Sequence, residues 1–578
     1  MISNIDMKDS FKKYSHDQDK ASTPEQTIAR VRQRLSRLDM DVLAKTVRID
    51  TGRLGIPVFI SLCGEDAVRL TGTKKQMGKG ATAQQSEASA LMELMERFSF
   101  FSFIEQFPFP VMKYKELDDL AVSVEDLKKS VYDTQTPTEL CLRFLEDLPL
   151  RWAKAWNITL GREQWVPIDW FYTINEYNGP ASGNTLEEAI LQGMCEVVER
   201  HVGSIVSHDM RVTPEIDRDS IRDPAAIELL EKFRSNGIEL FLRDISLDTG
   251  VPTVAVLAYD PSTFPNSSEI VFTAGTTSNP EKSLCRALTE TAQLAGDFQS
   301  HTSYSPTLPK YASLEEAAYL MKSNGKRSIQ DMPDHDHDNI RVEIERCAAA
   351  LAKKDLQVLA INVTHPGLQV PAVYTIIPGA HFLDHTRNTD FAQHAARTML
   401  RGLEGDELVK QMDRLLSIFG PRYDLTFFSA HTLELRGEVE AALALFTRAL
   451  DQSPDPGEIG SIYVHMASCL KDLERYEEAL EPLALAEKAN PELKEIFNLR
   501  GFCYFKLKRH EDSIASFERV IDLDPGSAID YANIGSNLRE LGHKREAVRL
   551  YKIALELDPD IDFARTNIEK LEAELGGK

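Results

Sequence analysis

Pro491, Pro525 and Pro559 stand 34 residues apart, and each follows an amphipathic helical pattern. A fixed period of that length marks a stack of helical hairpins, in which each unit buries its apolar side only against its neighbours. Within the period Gly501 matches Gly535 and Phe517 matches Tyr551, while Tyr476 stands less closely against His510 and Lys544. The pattern matches tetratricopeptide repeats. Residues 425–456 read as a degenerate first unit, and residues 560–576 as a solvating cap helix for the open end.

Residues 1–420 show no such period. They mix helical stretches with short strand-like runs such as VPTVAVLAY and LQVPAVYTII, which predicts an α+β domain with its strands pairing centrally. At 578 residues the chain is too long for one ordinary core. The expected division is 1–420 and 425–578, the second part being all-α.

Charge and composition narrow the function. A formal charge of −24, with no long run of Lys and Arg, opposes direct nucleic-acid binding. The seven cysteines are spread out and never form a CxxC pair, which points to reduced thiols and a cytoplasmic protein. No signal-peptide core opens the sequence, and FSFFSFIEQFPFPV is too short and interrupted to span a bilayer.

One side-chain pattern occurs three times. Ser89, Glu93, Glu96 and Arg97 are spaced i, i+4, i+7 and i+8, so on a helix they share an arc roughly 100° wide. Gln192, Glu196, Glu199 and Arg200 repeat the spacing, and Arg286, Glu290 and Gln293 repeat its first three positions. A solvated face accounts for one such helix as well as a site does; threefold recurrence favours a site. Glutamates crowded into apolar surroundings cannot all stay ionised without positive charge nearby. All-oxygen ligation suits Mg²⁺, which commonly shares its shell with phosphate oxygens, and arginines in the same cluster suit those phosphates. GKG at 78–80 and YNGPASGNTLEEA at 177–189 read as Gly-rich turns that present backbone N–H groups to an anion. There is no GxxxxGK[ST] loop and no kinase HRD or DFG element.

Several segments, in this order, resemble the YcaO superfamily over roughly residues 10–400: KASTPEQTIARVRQRL, GKGAT with SALMELMER, SGNTLEEAILQGMCEVVER, LRDISLDTGVPTV and RALTETAQ. The first two look particularly like the branch linked to methylthiolation of ribosomal protein S12. The resemblance implies a YcaO-type ATP-binding domain whose cofactors are ATP and Mg²⁺. By position it implies Mg²⁺ ligation by Glu93, Glu96, Glu196, Glu199 and Glu290, and ATP contacts from Lys20, Ser89, Asn184, Glu188, Gln192, Arg200 and Arg286. It also implies phosphorylation of a backbone amide, with no nucleophilic Ser or Cys required, followed by entry of a thiol, hydroxyl or sulfide. The chain departs from azoline-forming members in ending on helical repeats and lacking a proline-rich tail.

Other residues read as structural. His335 and His337 belong to a polar loop, and His365, His381 and His385 lie near a strand-like run. Cys195 and Cys285 read as small hydrophobes within the acidic helices, and FSFFSF at 98–103 as core. The function expected is Mg-ATP-dependent activation of a peptide or protein amide, leading to thioamidation, azoline formation or a linked sulfur modification. The repeats would hold the substrate or a partner protein, a sulfur-delivery protein among the candidates, or pair two copies as a homodimer. The competing reading is a non-catalytic nucleotide-binding adaptor whose repeats recruit partners.

Overall fold

The computed structural model of the chain describes residues 5–299, 308–380, 382 and 389–576. It divides into two compact units, Met1–His394 and Ala395–Lys578. His381 and His385 lie outside the described residues.

Among the described residues of the first unit, the strands form three sheets. Leu43–Arg48, Val58–Cys63 and Lys75–Lys79 make an antiparallel meander. The second sheet runs Val271–Thr276, Thr253–Tyr259, Glu239–Asp244, Glu215–Asp217, Lys326–Ser328, its last pair parallel. The third runs Val111–Lys113, Pro149–Asn157, Leu359–Asn362, Ala372–Ile376, Pro180–Ser182, with Arg162–Pro167 added to Pro149–Asn157. The fold is therefore the expected mixture of strands and helices.

Each acidic helix packs chiefly on one sheet and touches a second. Ala83–Gln106 packs on the meander, Leu186–His208 on Ala372–Ile376 and Pro180–Ser182, and Pro280–Leu294 on Val271–Thr276. Sequence chemistry sets their starts. Thr82 and Thr185 accept from the N–H groups of Gln85 and Glu188, and Asn279 accepts from those of Glu281 and Lys282. On the side away from the acids the helices are apolar. Leu91, Leu94, Met95 and Phe98 join Val31 and Val42 in one cluster. Ala189 and Ile190 pack with Ile344 and Val373, and Leu284 and Leu288 with Val254 and Val256. Phe98 and Phe100 of the FSFFSF run are fully buried, as expected for core.

Two glycines fix how closely strand and helix approach. A Cβ on Gly78 would overlap Ser86 O and Ala90 N of the first acidic helix. A Cβ on Gly275 would overlap Ser283 O and Ala287 N of the third. In both cases the obstructing residues are a Ser 8 and an Ala 12 positions downstream. The GKG stretch is accordingly no anion-presenting turn: Gly78 and Lys79 end a strand, and the helix starts at Ala83.

The second unit begins within helix Phe391–Gly402 and continues through Gly405–Phe419. Four helical hairpins follow: Tyr423–Leu435 with Val439–Asp451, Pro456–Asp472 with Tyr476–Ala489, Lys494–Lys506 with His510–Leu523, and Ala528–Glu540 with Lys544–Leu557. The periodic prolines stand two residues beyond helix ends Ala489, Leu523 and Leu557. The matched small and aromatic positions are partners, Phe517 lying across Gly501 and Tyr551 across Gly535. Asp562–Gly576 packs Ala564 and Leu571 against the last hairpin and leaves its other face in water.

The Gly78 contact is testable. Gly78→Ala should lower unfolding stability by about 1–3 kcal/mol through overpacking, seen as a lower denaturant midpoint at unchanged slope.

Candidate active site

Helical periodicity carries the three acid faces into one cleft of about 530 Å³. Its wall includes Ser89, Glu93 and Glu96 from the first acidic helix, Glu188, Gln192, Glu196 and Arg200 from the second, and Arg286 and Glu290 from the third. Lys20 and Asn184 line it too, as do Arg97 and Gln293. Every expected nucleotide-contacting residue and four of the five expected metal ligands thus face one space.

Glu199 is the exception, being fully buried behind the wall. Its Oε2 accepts from Thr276 N at 3.0 Å and from Arg286 Nε at 3.3 Å. Its Oε1 lies 3.6 Å from Arg200 Nη1, yet accepts no hydrogen bond among the described residues. One carboxylate therefore orients a cleft arginine and keeps a buried acceptor open.

The charges separate into two groups. Glu93, Glu96 and Glu196 gather around Arg97, whose Nε and Nη2 donate to Glu93 Oε1 at 3.1 and 2.9 Å. Arg97 also lies 3.6 Å from Glu96, and its Nη1 donates to Tyr177 O at 2.8 Å. Burial, and next the charge of Glu93, push the Glu96 carboxyl well above the ordinary range against the pull of Arg97. Burial raises Glu196 as well, although Arg200 and Arg97 oppose it. This group is short of positive charge.

Around Glu290 the balance reverses. Burial alone would raise its carboxyl, but Lys79, Arg200 and Arg286 hold it below the ordinary range. Lys79 donates to Glu290 Oε2, and Arg286 Nη1 donates to Gln192 Oε1 at 3.2 Å. Reading GKG as a local turn missed Lys79, whose role arises from a partner 211 positions away.

A third group sits at the start of the second acidic helix. Asn184 Nδ2 donates to both oxygens of Glu188 at 3.0 Å, and Glu188 Oε2 also accepts from Ala21 N at 2.8 Å. Lys20 Nζ lies 3.8 Å from Glu188 Oε1. Thr27 Oγ1 donates to Asn184 Oδ1 at 2.7 Å, tying the helix Pro24–Leu35 to the same point.

Residues read as structural behave so. His335 Nε2 meets Gly250 O at 2.6 Å, and His337 Nδ1 accepts from Asn339 N at 3.0 Å. His365 Nδ1 accepts from the N–H groups of Gly367 and Leu368. Cys195 and Cys285 are buried, and all seven cysteines are free thiols.

Comparison with known proteins assigns the chain to a family. A family model described as "YcaO cyclodehydratase, ATP-ad Mg2+-binding" matches residues 77–381, and tetratricopeptide-repeat models match 494–527 and 531–561. The chain belongs to the YcaO family. It is 30% identical over 388 residues to an uncharacterized protein of Methanothermobacter thermautotrophicus, covering 62% of this chain and 94% of that one. It is 31% identical over 209 residues to the ribosomal protein S12 methylthiotransferase accessory factor YcaO of Escherichia coli, covering 32% and 35% respectively. A solved heterocyclase in complex with substrate and cofactor shares the fold at TM-score 0.52 and 24% identity, over 66% of this chain and 55% of that one. This YcaO chain is accordingly an ATP-dependent enzyme with ATP and Mg²⁺ as cofactors. No helix among the described residues is long and apolar enough to cross a membrane.

The oxygen donors fit the family's metal: buried carboxylates with raised pKa values, and one buried acceptor left open, call for a hard cation. Lys79 supplies a test of the charge balance. Lys79→Met leaves Glu290 with Arg200 and Arg286 alone and should destabilise the metal-free protein by about 1–3 kcal/mol, and added Mg²⁺ should recover much of that loss in a thermal melt.

Proposed function

We propose that this YcaO enzyme phosphorylates a backbone amide of a peptide or protein in preparation for a sulfur modification, thioamidation first among them. One observation carries the reading: Glu93 and Glu96 share Arg97, and Glu196 has only Arg200 at 4.0 Å, in a nucleotide-sized cleft beside a second group rich in cations.

In this reading Glu93, Glu96, Glu196 and Glu290 hold Mg²⁺ from the wall, and Glu199 adds the Oε1 that no hydrogen bond reaches among the described residues. Lys20, Ser89, Asn184, Glu188, Gln192, Arg200 and Arg286 contact ATP. Bound Mg²⁺ supplies charge neutralisation for the transferring phosphoryl group. The chain's own part is positional. Arg286, oriented by Glu199 and Gln192, presents a fixed cation to the phosphates, and Arg97, locked by Glu93 and the Tyr177 carbonyl, cannot swing away. Thr27 and Glu188 hold Asn184 at the mouth of the second acidic helix.

The reaction forms a bond from the amide oxygen to the γ-phosphorus and breaks that phosphorus's bond to ADP. A sulfur nucleophile then adds to the activated carbon, and phosphate leaves with the former amide oxygen. Phosphoryl transfer of this kind relies on positioning and electrostatics rather than on a protein nucleophile. The tetratricopeptide repeats serve a protein partner, either the substrate or the donor of sulfur, since stacked hairpins generate a curved binding surface. The likeness to an S12 methylthiotransferase accessory factor makes a linked methylthiolation the nearest related outcome.

Full-length protein titrated with Mg-ATP should bind it and release ADP when a peptide substrate is supplied. Glu96→Gln should cut ADP release by about 100-fold or more, the cost of losing a metal ligand exceeding that of its supporting groups. Mass spectrometry of the substrate should show oxygen replaced by sulfur. Failure of the parent protein to bind Mg-ATP sinks the proposal; ADP release with loss of water instead of sulfur gain replaces thioamidation by azoline formation.

A further inference from the structure

The junction of the first and second repeats carries a group of side chains that the repeat fold does not require. His431 and Glu434 lie three residues apart on Tyr423–Leu435, so they share one helix face. His465 projects from the neighbouring helix Pro456–Asp472 onto the same carboxylate. Glu434 Oε2 lies 3.0 Å from His431 Nδ1 and 2.8 Å from His465 Nδ1. One potential ligand atom from each residue lies within 4.8 Å of the others.

The two imidazoles are held by aromatic neighbours. The His465 ring stacks on Phe446 at 5.3 Å and meets Phe427 edge-on at 5.2 Å, and the two histidine rings stand 4.8 Å apart. All three residues face a concave groove of about 580 Å³, and each of the three side chains is between 13% and 28% exposed. An ion could reach them from the groove, and their rings would need little ordering to receive it.

Internal comparison separates this group from ordinary repeat packing. The first helices of the four hairpins end at Leu435, Asp472, Lys506 and Glu540. Counted back from those ends, His431 is replaced by Ser468, Phe502 and Ser536, and Glu434 by Lys471, Phe505 and Arg539. At the position of His465 the other hairpins have Phe428, Leu499 and Asn533. The hairpin forms equally well with none of these donors.

We infer that His431, Glu434 and His465 form a binding site for a borderline divalent ion such as Zn²⁺, separate from the ATP site. Two imidazoles and one carboxylate are the donor set of zinc sites that keep a fourth position open. Tetrahedral ligands at about 2.0–2.1 Å from the ion stand about 3.3 Å apart, so the observed 2.8 and 3.0 Å separations need open by only a few tenths of an ångström. The donor type also distinguishes it from the acidic cleft, whose all-oxygen set favours Mg²⁺. The open position faces the groove, where a carboxylate or thiolate of a docked chain would complete the shell. The inference stands independently of the proposed amide chemistry.

The test uses the full chain, free of added nucleotide, in excess Mg²⁺ so that the acidic cleft is saturated. Equilibrium dialysis against Zn²⁺ should find one tight site, and Co²⁺ in its place should give the visible absorption of an imidazole-ligated ion. His465→Asn, which copies the residue of the last repeat, should weaken Zn²⁺ binding by about 100-fold or more while leaving the metal-free protein folded, its thermal midpoint lowered by only a few degrees, and Mg-ATP binding unchanged. His465→Cys should restore Zn²⁺ binding, since thiolate is a zinc ligand. Full Zn²⁺ occupancy in His465→Asn, or no tight site in the parent protein, overturns the inference.

Discussion

Backbone contact between strand and helix sets the geometry on which the active site depends. Gly78 and Gly275 bring the chain of a strand against the chain of the helix that follows, each touching a serine carbonyl and an alanine N–H one turn further on. Van der Waals contact at backbone distance leaves no room for a side chain to act as a spacer. The first and third acidic helices are therefore fixed by close backbone packing, and their cleft-facing rows inherit that rigidity. The second packs on Ala372–Ile376 and Pro180–Ser182, and Ser182 Oγ ties the latter strand to the first helix by donating to Met92 O at 2.8 Å.

Rigid walls matter because the cleft's charges do not cancel locally. Arg97 serves Glu93 and Glu96, while Lys79 and Arg286 serve Glu290 and Glu199. Had the helices been free to slide, the acids would have relaxed toward the available cations and the imbalance would have vanished. Held in place, Glu96 and Glu196 keep raised pKa values, which is stored demand for a cation. A buried charge cluster of this type adds little to stability and is better understood as selectivity for what binds there.

The sequence made the acidic faces legible because side-chain direction on a helix depends only on spacing, and three copies of one spacing rule out accident. The repeats were legible for the same reason, a period being visible without any knowledge of contacts. Sheet order was not: Thr253–Tyr259 and Val271–Thr276 are buried on both faces, so no alternation marks their partners. Lys79 escaped notice because its value comes from Glu290, far along the chain, while its neighbours Gly78 and Gly80 suggested a turn. Glu199 shares the spacing of its companions yet points behind the wall, where Thr276 N and Arg286 wait for it; only the third helix and its strand decide that. The helices of residues 391–419 carry no period, so nothing local announced where the second unit begins.

Periodicity has a second use once the fold is known. In a repeat array the positions that recur are those that pack, as Gly501 with Phe517 and Gly535 with Tyr551 demonstrate. Positions that depart from the period are released from that duty, and chemistry concentrated there needs another cause. Phe427 and Phe446 meet in the first hairpin, and beside them His431, Glu434 and His465 put imidazole and carboxylate donors where the other repeats do not. In the YcaO domain the logic runs the other way: the recurring acids are the costly residues and the variable ones pack. Cost and recurrence together separate the two cases, because folding accounts for recurrence among apolar residues and cannot account for it among buried acids.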